Sequence, residues 1–185
     1  MIVVDASAVL SVLLGEPAGS AVLHRLHGLP PHGLPPHGSP PRDGRRGDRH
    51  GKTHDADGTP EALVAPEFLA LEVANSLVQM RRRARRLGVE VDAGALMGVS
   101  PDRLAQSIAA HFEQLGLTLE SFPSRAGFDR MCQIAERFGL SSYDALYVAF
   151  AEQRGARLLT LDRAMAAAAA GIGVATITAT GPDAN

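Results

Sequence analysis

The chain has 185 residues, 45% of them hydrophobic, and a formal net charge of −2. That length and apolar content suit one domain with its own core rather than a disordered chain, and the charge balance excludes a generally basic nucleic-acid coat while leaving room for a local basic patch. Cys132 is the only cysteine, which excludes an intramolecular disulfide framework and most thiolate metal sites.

The N-terminus has no basic leader, its apolar run is broken at Asp5, and no stretch approaches the ~18 apolar residues of a membrane span. The expectation is a soluble, cytoplasmic protein with no membrane partner.

In chain order, "MIVVD" reads as a buried strand. Residues 8 to 26 carry a helical pattern broken near Gly15 and Pro17. Residues 27 to 60 are dense in Pro, Gly, His and charge, with a repeat of five residues that places His27, His32 and His37 before similar Gly/Pro units. Such a segment cannot join a core and reads as a solvated, low-complexity insertion. Polyproline-like spacing holds the imidazoles apart, which weakens a metal-site alternative.

"ALVAP" is a short strand, and Pro66 suits a helix first turn. A long helix follows to a stop at Gly88. Pro101 starts another helix to about Gln114, and "LTLESF" is a strand. A helix spans 125 to 138, Ser141 or Ser142 caps the next, and that one ends at Gly155. "RLLTL" is a strand, 163 to 170 an alanine-rich helix, and "VATIT" a last strand. Alternating helices and short apolar strands predict a three-layer α/β/α fold with a mostly parallel central sheet. Ligands gather at the carboxyl ends of such strands, where Asp5 and Asp162 fall.

Each acid there has a plain alternative. Asp5 and Asp162 could simply cap the helices that follow, and Asp144 could sit in a helix first turn to complement its dipole. Glu72 lies within "FLALEVANSL", at the edge of the stripe Leu69, Val73, Leu77 and Met80, where a carboxylate needs a partner or a cation. Asn75 shares its face at i+3. Converging acids repel one another unless a cation neutralises them, and oxygen-only ligation selects Mg²⁺ or Mn²⁺. Such an ion lowers the pKa of a bound water for in-line attack at phosphorus, with no side-chain nucleophile. Ser7 and Thr160 are candidate donors to the neighbouring aspartates.

"VVDAS", "EVANSL", "SSYDALYVAFA" and "LLTLDRAM", in this order, resemble PIN-domain ribonucleases, specifically the VapC-type toxins of toxin–antitoxin pairs. The resemblance covers residues 1 to 26 and 61 to 178, as a single domain over 1–185 interrupted at about 27–60. It implies metal-dependent endonucleolytic cleavage of RNA, with Asp5, Glu72, Asp144 and Asp162 holding Mg²⁺ or Mn²⁺ and Ser7, Asn75 and Thr160 in support. It further implies a homodimer and a cognate antitoxin protein whose C-terminal segment occupies the groove. The insertion and the long stretch 89 to 100 depart from the family's pattern.

The run "RRRARR" places five arginines on the last turns of a helix. A solvated face that complements the dipole is the plain reading, and RNA phosphate contact by Arg81, Arg82 and Arg85 is the competitor. An acid-phosphatase pattern would need an aspartate where Ser7 stands. A receiver domain would need a late-strand lysine, and Lys52, the only lysine, lies in the insertion. From another class, the chain could be a non-catalytic PIN-like module that docks a partner peptide or nucleic acid, against which the retention of all four acids argues.

Overall fold

The computed structural model describes residues 1–27, 61–88, 96, 98–121 and 125–178. His32, His37 and the insertion's arginines, and most of 89 to 100, lie outside the described residues, whereas His27 is the last residue of a helix. Among the described residues five strands form one sheet: β1 Ile2–Val4, β2 Leu63–Pro66, β3 Leu117–Glu120, β4 Arg157–Leu159 and β5 Thr176–Ile177. Their order is β3-β2-β1-β4-β5, and every pairing is parallel. β1 and β2 are buried at every residue, as expected of strands covered on both faces.

Among the described residues the helices are α1 Ala6–Leu13, α2 Pro17–His27, α3 Leu69–Leu87, α4 Leu104–Gln114, α5 Arg125–Phe138, α6 Ser142–Arg154 and α7 Arg163–Gly171. A 3-10 turn at Pro101–Arg103 leads into α4. α3 and α6 stop at Gly88 and Gly155, whose φ of 61° and 56° is left-handed backbone that only glycine adopts without penalty.

The chain walks from β1 to β3 at one edge, then returns to the centre at β4 and runs outward to β5. Right-handed crossovers place the helices of the two walks on opposite faces. Accordingly α1 packs on α2 and α3, and α3 on α4, while α6 packs between α5 and α7 and against β1, β2 and β4. Ala145 to Ala151 are all buried in α6, so this helix is enclosed rather than amphipathic. The result is the three-layer α/β/α architecture with a parallel sheet.

Pro66 departs from expectation. It ends β2, opposite Glu120, and α3 begins only at Leu69 with Phe68 as its N-cap. A proline is tolerated at a strand end because the next residue can take over the ladder; here the Glu67 N–H donates to the Glu120 carbonyl at 2.8 Å.

Candidate active site at the carboxyl edge of β1 and β4

The strand order reverses between β1 and β4, and an open parallel sheet leaves its crevice at such a switch point. Val4 pairs with Leu159, after which the Asp5 N–H donates to the Leu159 carbonyl at 3.1 Å. Thr160 follows Leu159 directly, so Asp5 and Thr160 emerge side by side.

Asp5 is only 1% exposed. It caps α1 by accepting from the Ala8 N–H at 3.0 Å, and it also accepts from the Ser7 and Thr160 hydroxyls at 2.9 Å. The direction of both hydroxyl bonds is set from behind: Ser7 Oγ accepts from the Leu161 N–H at 3.0 Å, and Thr160 Oγ1 accepts from the Asp162 N–H at 2.9 Å. Three hydrogens therefore meet a carboxylate with about four acceptor sites. One site stays open for a proton or a cation. Burial pushes the Asp5 pKa up from 3.8 to about 6, against the three hydrogen bonds that lower it, and the charge of Glu72 adds to the rise.

Glu72 is half-buried in the first turn of α3 and accepts from the Tyr147 hydroxyl at 2.9 Å. Burial raises its pKa, and the charge of Asp144 raises it further. Tyr147 is fully buried in α6. Burial and the charges of Glu72, Asp5 and Asp144 hold its hydroxyl well above the ordinary tyrosine range, so it stays a proton donor. The charges of three acids thus act on one phenol, which touches Glu72.

Asp144 lies three residues before Tyr147. Its N–H donates to Ser141 Oγ at 3.1 Å, and its carboxylate accepts from the same hydroxyl at 2.7 Å. Asp162 is exposed and caps α7 by accepting from the Met165 N–H at 2.8 Å. It joins the other acids through its own backbone bond to Thr160. Both capping alternatives read from the sequence are therefore real, and at Asp5 the cap uses only part of the carboxylate.

Asn75 is exposed on α3. Of the arginines, Arg82 and Arg85 are exposed, whereas Arg81 is half-buried and donates from Nη2 to the Leu96 carbonyl. That bond turns Arg81 away from the role expected beside Arg82 and Arg85. Tyr147 is the residue that sequence reasoning missed. A tyrosine in a helix that is otherwise apolar must find a partner for its hydroxyl, and "YDALY" places it one turn from Asp144; that was the available signal.

Among the described residues, none of the four acids forms an ion pair with a cationic side chain. The donor set is oxygen-only, which fits a hard divalent ion; the raised pKa values of Asp5 and Glu72 come first from burial and only secondarily from the charge of a neighbouring acid. As oriented here, no three His, Cys, Asp or Glu side chains among the described residues are grouped to hold a metal ion.

The family model of the PIN domain matches residues 45–171. No curated protein matches the chain by sequence. Similar solved structures include FitAcB from Neisseria gonorrhoeae, 18% identical, covering 97% of this chain and 98% of that one with a TM-score of 0.53. PAE2754 from Pyrobaculum aerophilum is 22% identical over 95% of this chain and 87% of that one, with a TM-score of 0.49.

Proposed function

Because the chain belongs to the PIN-domain family, whose members are generally nucleases, we propose that it is a divalent-metal-dependent endoribonuclease, the toxin of a VapC-like toxin–antitoxin pair. The observation that carries the reading is Asp5: a buried carboxylate at the switch point, with one open acceptor site and a pKa raised to about 6.

Asp5, Glu72, Asp144 and Asp162 would hold Mg²⁺ or Mn²⁺. A bound ion of this kind neutralises the acids, polarises the phosphoryl group and supplies a water of lowered pKa. The chain's own contribution is orientation. Ser7 and Thr160 fix the plane of the Asp5 carboxylate, Tyr147 holds Glu72, and Ser141 holds Asp144. Arg82 and Arg85 offer phosphate attraction toward the far end of α3, about 15–20 Å along the helix from Glu72. The cognate antitoxin and the homodimer complete the proposal, supported by the resemblance of the four motifs, and a cytoplasmic site of action is proposed from the single cysteine.

The test is cleavage of a structured RNA pool by purified protein with Mg²⁺, Mn²⁺ or chelator, beside Asp5→Asn prepared identically. Metal-dependent cutting that falls at least about a hundredfold in the variant is the expected result. Equal behaviour of the two folded, antitoxin-free proteins in every metal would overturn the catalytic reading in favour of a binding module.

A further inference from the structure

We propose that Tyr147 is a positioning residue that holds Glu72 to a single free oxygen and so sets which cation the acidic edge accepts, a small octahedral ion in preference to Ca²⁺; this rests on the metal-dependent reading above. Of the four acids, Glu72 has the longest side chain and the most freedom to turn. Asp144 and Asp162 are held by donors three residues away in their own helix caps, and Asp5 by Ala8, Ser7 and Thr160. Glu72 has no such local hold. Among the described residues its carboxylate accepts only from the Tyr147 hydroxyl, 75 residues away, through Oε2 at 2.9 Å, and Oε1 has no donor.

The donor itself is fixed. Tyr147 is fully buried in α6, whose residues from Ala145 to Ala151 are all buried, and its ring packs on Phe68 at 5.2 Å and 57°. Close-packed neighbours leave an enclosed phenol little room for another rotamer, and a buried hydroxyl keeps its partner because leaving it unpaired costs the desolvation of the group. Phe68 is the N-cap of α3, and its carbonyl accepts from the Glu72 N–H at 3.0 Å. Tyr147 therefore grips the first turn of α3 at two points, by ring and by hydroxyl.

That grip bears on ion choice. Ca²⁺ is bound by about six to eight oxygens and readily takes both oxygens of one carboxylate, whereas Mg²⁺ demands a near-ideal octahedron and keeps waters in it. With Oε2 committed to a buried phenol, Glu72 has one oxygen to give. Ser141 takes one oxygen of Asp144 and the Met165 N–H one oxygen of Asp162 in the same way, but Ser141 and Asp162 are exposed, so water competes for those bonds. Only Tyr147 enforces the limit from inside the core.

Tyr147→Phe removes the hydroxyl and keeps the ring, and Tyr143→Phe removes the chain's other phenol hydroxyl, on a residue 63% exposed, as the control. Full-length protein without RNA is titrated with Mn²⁺, read by the spin resonance of the free ion, and bound Mn²⁺ is then displaced with Mg²⁺ or Ca²⁺. In Tyr147→Phe, Mn²⁺ affinity is expected to fall about 10–100-fold, and Ca²⁺ to compete at least about tenfold better relative to Mg²⁺. Tyr143→Phe should match wild type, and in a Glu72→Ala background Tyr147→Phe should have no further effect. The chain has no tryptophan and two tyrosines, so a near-ultraviolet change on metal binding should appear in wild type and Tyr143→Phe and be missing from Tyr147→Phe. An unchanged Ca²⁺ to Mg²⁺ ratio in folded Tyr147→Phe, even with every metal bound more weakly, would overturn the role, as would a wild type that binds no Mn²⁺. A ratio that depends on Tyr147, with no RNA cleavage in any metal, would uphold the role and sink the nuclease reading; metal-dependent cleavage with a ratio indifferent to Tyr147 would do the reverse.

Discussion

Thr160 shows how much one hydroxyl carries. It donates to Asp5 and accepts from the Asp162 N–H, so it ties two site acids from adjacent strand ends. Thr160→Val keeps the shape, removes a bond that lowers the Asp5 pKa, and leaves the Asp162 N–H unpaired. RNA cleavage should fall about 10–100-fold, and the acid limb of its pH–rate profile, set by Asp5 near pH 6, should move to higher pH. Thr160→Ser should restore both; a drop in rate without a displaced limb would mean that the hydroxyl matters only structurally. At this scale Asp5 and Glu72 were legible, because a carboxylate at the end of an apolar strand or inside an apolar helix face asks for a partner. Tyr147 and Arg81 were not legible in the same way, since their partners, Glu72 and the Leu96 carbonyl, are 75 and 15 residues away.

Helix packing sets where those residues stand. Asp5 caps α1, and α1 meets α2 at a bend of 107°. Gly19 permits the closeness of that crossing, because a Cβ there would lie 2.2 Å from the Ser11 carbonyl oxygen. Gly19→Ala must push the two helices apart and should cost about 1–3 kcal/mol, read as a lower urea midpoint with an unchanged slope; an unchanged midpoint would show that α2 shifts freely. On the other face, Arg130 of α5 grips Glu152 of α6 with two bonds of 2.7 Å, steadying the helix that carries Asp144 and Tyr147. The helices were legible from their glycine stops and Ser141 cap. Pro66 misled, because its pairing partner β3 lies some fifty residues further along the chain, and pairing outweighed the helical preference.

Across the whole molecule, the acidic edge links stability to pH and to cations. The folded chain holds the Asp5 proton more tightly than the unfolded chain, with a pKa of about 6 against 3.8. Stability from this group is therefore complete below about pH 4 and is lost as pH rises through about 6, by about 3 kcal/mol. Glu72, also raised, acts in the same direction. In chelator, the melting temperature should fall across that window, and Mg²⁺ or Mn²⁺ should restore it most at the upper end by binding the ionised acids. A melting temperature that stays level across the window, and does not respond to either metal, would count against a cation at this edge. At the amino end of the sheet the charge is compensated differently: the Glu61 carboxylate accepts from the Met1 amino group at 2.9 Å and meets Arg157 directly, and these two partners lower its pKa.

Local chemistry determined what the sequence by itself could say. Apolar runs, glycine stops and serine caps act over a few residues, so they specified the strands, the helices and their alternation, and alternation with short buried strands implies a parallel three-layer fold. Four acids could likewise be picked out from their immediate neighbours. Only the tertiary structure decided which of them share a field, because the 3-2-1-4-5 strand order brings residues 5 and 160 together across 155 positions. It also decided that Tyr147 points at Glu72, that Arg81 turns inward, and that Tyr143 is left facing solvent, since each depends on the crossing of helices remote in sequence.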